Sequence, residues 1–167
     1  STIKVAFVDT ETTGIDRKND HIIEIAVKVL CFETSSGKIL SVEGSYESFN
    51  DPEEDISAEI THLTGIDNKM VEGEFINWNE VDTIFECVDI IIAHNASFDR
   101  AFIDRFSSIS PSKVWACSIS DIDWLERGFT SSKQELLCYW HGFYFDAHRA
   151  MNDVCLLYTS DAADEIA

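Results

Sequence analysis

The sequence predicts an α/β layer fold: a mixed five-stranded sheet, antiparallel over its first three strands and parallel thereafter, flanked by helices. Three observations predict it. Long β-branched and aromatic runs follow one another at residues 3–10, 22–32 and 39–49. From residue 77 onward, amphipathic helical patterns alternate with short apolar strands. No internal repeat, low-complexity tract or linker interrupts the 167 residues. That length suits one domain burying roughly 70% of the surface its unfolded chain exposes.

Residues 3–10 run into small polar residues and Gly14, the pattern of a buried strand entering a turn. Thr34-Ser35-Ser36-Gly37 joins the second and third runs as an antiparallel hairpin. Asp51-Pro52 opens a loop, after which Ser57 caps a short helix ending near Gly65. A serine oxygen accepts an orphan N–H at a helix start, and glycine suits the left-handed residue at its end. Asn77 and Glu80 mark another N-terminus, with Val81, Ile84, Phe85 and Val88 lining one face. Residues 89–94 are a central strand, 97–106 the helix after it, and 114–117 a short strand. Ser132 with Glu135 forms a capping box for a helix reaching about 141–142. Asp146 caps the last helix, whose stripe is Ala150, Met151, Val154, Leu157 and Tyr158. The expected domain is 1–158, and 159–167 is a tail, either frayed or the stump of a longer chain.

Composition narrows the function classes. Hydrophobic residues are 45% and aromatics 11%, enough for a packed core. No run of 18 or more apolar residues occurs, so a helical membrane span is not expected. Nor does Ser1-Thr2-Ile3-Lys4 open like a secretory signal. The five cysteines (Cys31, Cys87, Cys117, Cys138, Cys155) are odd in number and lack a C-x-x-C pair. That argues against a disulfide framework or zinc site and suits a reducing cytoplasm, with the thiols as small buried hydrophobes. The charge is unusual: 12 Lys and Arg against 31 Asp and Glu give −19. A protein that only binds duplex nucleic acid leans basic instead. Between Glu43 and Asp89 stand fourteen acidic residues and one lysine, Lys69. A solvated acidic face, adaptation to a salty interior, and a docking face for a basic partner all fit that pattern.

Three segments carry candidate chemistry. Asp9 and Glu11, two apart at a strand end, leave the same face of the sheet. Adjacent carboxylates repel unless a cation lies between them, and hard divalent ions prefer oxygen ligands. In Ile90-Ile91-Ile92-Ala93-His94-Asn95-Ala96-Ser97-Phe98-Asp99 a buried strand stops and a helix begins, where ligands gather in α/β sheets. Asp99 falls in the first helical turn, a place the helix dipole also favours for a carboxylate. In His148-Arg149-Ala150-Met151-Asn152-Asp153 a regular helix separates the two end side chains by about 140°. His148 and Asp153 share a site only if His148 stands at the helix lip, which Asp146 as cap permits. Each segment alone has a blander explanation: a solvated acidic pair, a dipole-stabilised aspartate, a structural histidine.

In order and type, the three segments resemble the motifs of the DEDDh-type 3′→5′ exonucleases. This ribonuclease H-like family has the proofreading epsilon subunit of bacterial DNA polymerase III among its members. Phe7-Val8-Asp9-Thr10-Glu11-Thr12-Thr13-Gly14 is similar to its first motif, Asn95-Ala96-Ser97-Phe98-Asp99 to its second, and His148-x-Ala150-x-x-Asp153 to its third. Ile22-Ile23-Glu24-Ile25-Ala26 and Leu63-Thr64-Gly65-Ile66 match as well, so the resemblance covers about residues 3–158. A sister subclass carries tyrosine four positions before the last aspartate; that position here is Arg149, and His148 stands where the histidine subclass needs it. The sequence departs from the family pattern at Ala116-Cys117-Ser118, where an aspartate-threonine pair is usual, which bears on substrate contacts rather than on the carboxylates.

The resemblance implies a metal-dependent exonuclease acting on single-stranded DNA, with Asp9, Glu11, Asp99 and Asp153 holding two divalent ions, Mg²⁺ or Mn²⁺, about 3.5–4 Å apart. His148 is then the general base for an attacking water, and in-line attack releases a 5′-mononucleotide. Expected substrate contacts are Thr12, Thr13, Gly14, Ile15, Leu63 and Phe98, with His62, Asn95 and Arg149. Arg17, Lys18, Arg100 and Arg105 are further basic residues near the motifs and candidates for phosphate contacts. Two rival readings stand beside this one. One keeps the chemistry and makes the substrate RNA or short oligonucleotides; the other is a non-catalytic adaptor that binds a polymerase through its acidic stretch. The expected partners are a nucleic-acid 3′ end and a basic protein such as a polymerase subunit, with no membrane, in the cytoplasm.

Overall fold

The apolar runs become the strands of one sheet. In a computed structural model that describes residues 1–36 and 38–117, β1 (Thr2–Thr12), β2 (Ile22–Glu33) and β3 (Ile39–Phe49) form an antiparallel meander. β4 (Ile90–Ala93) and β5 (Trp115–Cys117) join the other side of β1 in parallel, for an order of β3-β2-β1-β4-β5. The helices are α1 (Ala58–Thr64), α2 (Asn68–Val71), α3 (Trp78–Glu86) and α4 (Ala96–Ile103), followed by a 3-10 turn at Ser110–Ser112. The mixed sheet flanked by helices is the predicted fold class. The predicted helices at 132–142 and from 146 onward, the boundary at 158 and the tail lie outside the described residues.

Side chains alternate across β1, and both of its faces are buried, which is why its apolar run is continuous. Ala6 and Val8 face a core shared with Ile25, Val27, Ile91, Val81 and Phe85 of α3, and Phe102 and Ile103 of α4. Val5 and Phe7 face the other way, into a cluster with Leu30, Phe32, Ile90 and Ile92, whose described members all belong to strands. Phe7, Phe85 and Phe102 are at most 1% exposed, each contributing about 1.5–3 kcal/mol by burial. A third cluster of Ile23, Ile56, Ile66 and Val71, with Phe49 and Ile60 against it, seats α1 and α2 beside the start of β2.

Local signals placed the helix ends well. Ser57 Oγ accepts from the Ile60 N–H at 3.2 Å, and Gly65 closes α1 at φ 76°. Asn77 caps α3 through the Glu80 N–H. Other expectations need correcting. β1 runs on to Thr12, because pairing with β2 resumes at Thr12–Ile22 past an irregularity after Glu11. α4 ends at Ile103 rather than 106, since residues 104–106 leave the helix as a turn. Cys31 is buried, but Cys87, at the C-cap of α3, is exposed, so the expectation of buried thiols fails there. Among the described residues, no helix is long and apolar enough to cross a membrane.

Candidate active site

β1 and β4 lie side by side and parallel, while the chain leaves them toward opposite edges of the sheet. A crevice opens beyond the C-terminal ends of the strands at such a reversal point. The first two motifs meet there. Asp9 and Glu11 sit on the last turns of the β1 pleat, on the same side as Phe7, and Asp99 enters from the first turn of α4 just after β4 ends.

Thr10 ties the two motifs together. Its hydroxyl donates to Asp99 Oδ1 at 2.6 Å and its N–H donates to the same oxygen at 3.2 Å, across 89 residues of chain. Asp99 is buried, as is Thr10. On β2, Ala26 stands opposite Asp9 and Glu24 opposite Glu11. A like-charged pair directly across a ladder is unfavourable on its own, so Glu24 adds to an already acidic crevice.

The electrostatics follow from that crowding. Burial pushes Asp9 up to about 8, helped by the charges of Glu11, Asp99 and Glu24. Burial alone raises Glu11 to about 7. Asp99 is raised to about 6 by burial, against the two Thr10 hydrogen bonds and in concert with Glu11. Removing carboxylates from water while setting them beside one another favours the protonated forms.

Among the described residues, no three acidic, histidine or cysteine side chains are arranged to hold an ion by themselves. Asp153, His148 and Arg149 of the third motif lie outside those residues. The donor chemistry fits a hard divalent cation: the three groups offer only carboxylate oxygens, and a cation would relieve the repulsion that raises their proton affinity.

The expected substrate contacts differ in their local settings. Thr12 Oγ1 donates to Gly14 O at 2.6 Å, shaping the turn that follows β1. Ile15 is 87% exposed and Leu63 68%, so both apolar side chains are open to solvent. Phe98 is half-buried, packed on the core and 4.9 Å from Phe102 between ring centroids. Asn95 is exposed at the N-cap of α4, its Oδ1 accepting from Ser97 Oγ at 3.2 Å. His62 is exposed on α1, the helix that Ile60 anchors in the cluster containing Ile23, next in sequence to Glu24.

Two basic candidates turn out to hold the frame. Arg100 reaches Asp104 at 3.3 Å and Pro111 O at 3.0 Å, with its guanidinium 5.9 Å from the centre of the Trp115 ring. Arg105 donates to two main-chain carbonyls of the β1–β2 loop. Sequence reasoning also missed two residues. Thr10 stood inside the first motif without a role, and Glu24 inside a matching run; strand alternation was the one signal for Glu24. Five of the fourteen acidic residues of the middle segment, Asp51, Glu53, Glu54, Asp55 and Glu72, line a groove of about 450 Å³ with Asn68, Lys69 and Val71. None of the motif carboxylates is among its walls.

Residues 6–159 match the family model of the RNase T exonucleases. The chain belongs to that exonuclease family. This exonuclease domain is 40% identical over 100 residues to a DNA polymerase III PolC-type protein of Clostridium perfringens, a match covering 58% of this chain and 6% of that one. Against the PolC-type polymerase of Thermotoga maritima it is 32% identical over 127 residues, covering 70% and 8%. The chain thus spans under a tenth of the length of these relatives. Among solved structures it resembles E. coli Exonuclease I in complex with a dA16 oligonucleotide, at a TM-score of 0.55 and 12% identity over 75% of this chain and 30% of that one. Exonuclease I of Methylocaldum szegediense gives 0.50 and 19%, over 75% and 29%. These likenesses show the fold, the ribonuclease H-like mixed sheet of exonucleases.

Proposed function

We propose that this exonuclease domain removes 5′-mononucleotides from the 3′ end of single-stranded DNA in a divalent-metal-dependent reaction. The observation that carries the reading is the convergence of Asp9, Glu11 and Asp99 where β1 and β4 end, with Thr10 tying the two segments together. Asp9, Glu11, Asp99 and, from the third motif, Asp153 would hold two ions, Mg²⁺ or Mn²⁺. Bound there, such ions supply an activated water and neutralise charge on the leaving 3′ oxygen. Thr10 fixes one oxygen of Asp99 and so limits which way that carboxylate can turn. Residues 12–15 present backbone and the exposed Ile15 to the terminal nucleotide, with Leu63 and Phe98 as further apolar walls and Asn95, His62 and Arg149 as polar contacts. His148 takes the proton of the attacking water, a task an imidazole with an ordinary pKa near 6.5 performs at neutral pH. The similarity to PolC-type polymerases supports proofreading as the setting, and a polymerase subunit as the partner of the acidic 43–89 segment.

The test is release of mononucleotides from 3′-labelled single-stranded DNA and matched RNA, at low salt with Mn²⁺ or Mg²⁺. Release from DNA is expected to be the faster, and Asp9→Ala or Asp153→Ala to abolish it with the fold kept. Undiminished cleavage in either variant overturns the assignment. Faster release from RNA would keep the chemistry and change the substrate, and a protein that binds neither ion in calorimetry would instead be an adaptor.

A further inference from the structure

The loop between β1 and β2, residues 13–21, closes on itself. The Thr13 N–H donates to His21 O at 2.8 Å, and the His21 N–H donates back to Thr13 Oγ1 at 2.9 Å. The Asp20 carboxylate fills the interior, accepting from the Asp16 N–H at 2.8 Å and from the Thr13 hydroxyl at 3.2 Å. Asp16 in turn accepts from the N–H groups of Lys18 and Asn19. A Cβ on Gly14 would run into the Asp20 carboxylate, so that position has no room for a side chain while the carboxylate stays. These bonds set the loop's shape, but none of them sets its orientation against α4.

Two arginines do that, from opposite sides. Arg105, in the turn after α4, donates through Nη1 to Asp20 O at 2.6 Å and to Arg17 O at 3.1 Å. Its guanidinium lies 5.7 Å from the Phe102 ring centre and 5.3 Å from that of Phe106, which fixes where the donor can point. From the loop, Arg17 Nη1 donates to Ser97 O, in the first turn of α4, at 3.3 Å. One arginine therefore grips the loop from beyond the end of α4, and the other grips the start of α4 from the loop. The loop carries Gly14 and exposed Ile15; α4 carries Phe98 and Asp99.

We propose that Arg105, seconded by Arg17, is a positioning residue that sets the gap between the loop and α4, and with it the fit of the terminal nucleotide between Ile15 and Phe98. The inference rests on the exonuclease reading for its substrate, not for its geometry. It also gives Arg105 a role other than binding phosphate, because its Nη1 is already given to two carbonyls.

The experiment uses Arg105→Ala, Arg105→Lys and Arg17→Ala in the whole chain. Amide exchange over residues 13–21, without metal or nucleic acid, reads the clasp independently of activity. Arg105→Ala is expected to speed that exchange roughly tenfold or more. It should raise KM for a single-stranded oligonucleotide roughly tenfold while kcat stays within about twofold, because binding rather than chemistry is disturbed. Arg105→Lys should recover part of both, and Arg17→Ala should show the same pattern more weakly. Loss of a phosphate ligand instead flattens the log–log salt dependence of binding by about one unit. A flattened slope with wild-type loop exchange overturns the proposal, as do wild-type exchange and KM in both alanine variants. Should the wild-type chain fail to hydrolyse any oligonucleotide, the exonuclease reading falls, and loop exchange still decides the clasp.

Discussion

β1 is one continuous strand with two unlike ends. Val5, Ala6, Phe7 and Val8 are each at most 1% exposed and belong to the two main apolar clusters. Asp9 and Glu11 follow on the same pleat and the same ladder, yet they bring charge into a crevice where Glu24 and Asp99 already lie. The backbone pairing with β2 is regular from Thr2 to Glu11, so the contrast lies wholly in the side chains. The first half contributes stability, and the second half costs it. A segment that is destabilising in the metal-free protein, held in place by well-paired neighbours, is the form a binding site takes when the missing stabilisation comes from its ligand.

The largest expected effect breaks that contrast at its charged end. Asp9→Asn should abolish metal-dependent hydrolysis while raising the thermal midpoint of the metal-free protein, measured in parallel by calorimetry and nucleotide release. A lower midpoint would mean that Asp9 is a structural carboxylate after all. Next is His148→Ala, for which a loss of roughly 10²–10⁴-fold in turnover is expected for a missing general base. A wild-type rate would assign that proton to another group. At the apolar end, Phe7→Ala should cost about 3–5 kcal/mol in urea unfolding, as expected for a buried aromatic truncated to a cavity. Activity per folded molecule should survive there, and its selective loss would erase the distinction between the two ends.

The smallest effect is in pH dependence. The folded protein raises Asp9 to about 8, Glu11 to about 7 and Asp99 to about 6, from ordinary values near 4. Between those limits the folded chain keeps protons that the unfolded chain has released, so the carboxyls' contribution to stability is full below about pH 4 and is lost as pH rises toward 8. The thermal midpoint in chelator should therefore fall across this window. Added Mg²⁺ or Mn²⁺ should raise it more at pH 8 than at pH 5, and an equal rise at both would separate cation binding from these carboxyls.

How much of this could be read from residues alone depended on how local each signal was. Ser57, Gly65 and Asn77 were legible as caps because a cap is decided within four residues of chain. The five strands were legible because their apolar runs are long or sharply bounded. α2, at four residues, and the turn at Ser110–Ser112 are shorter than a helical period can reveal. Asp9, Glu11 and Asp99 were singled out by their place in the motifs, but the Thr10 tether joins residues 89 apart, and no periodicity reports such a contact. Arg105 illustrates another limit. A basic residue near an acidic motif suggests a phosphate contact, whereas two main-chain carbonyls of the loop take its Nη1, a structural role that no local pattern announces.

The packing of Gly14 against Asp20 has a genetic consequence. With the Asp20 carboxylate standing where a methyl group would go, a chain carrying alanine at position 14 must turn that carboxylate aside and weaken its bonds to Thr13 and Asp16. The defect is steric before it is chemical, so a second change that shortens residue 20 relieves the clash, at the expense of those two bonds. Suppressors of Gly14→Ala should thus map to codon 20 rather than to codons 9, 11 or 99.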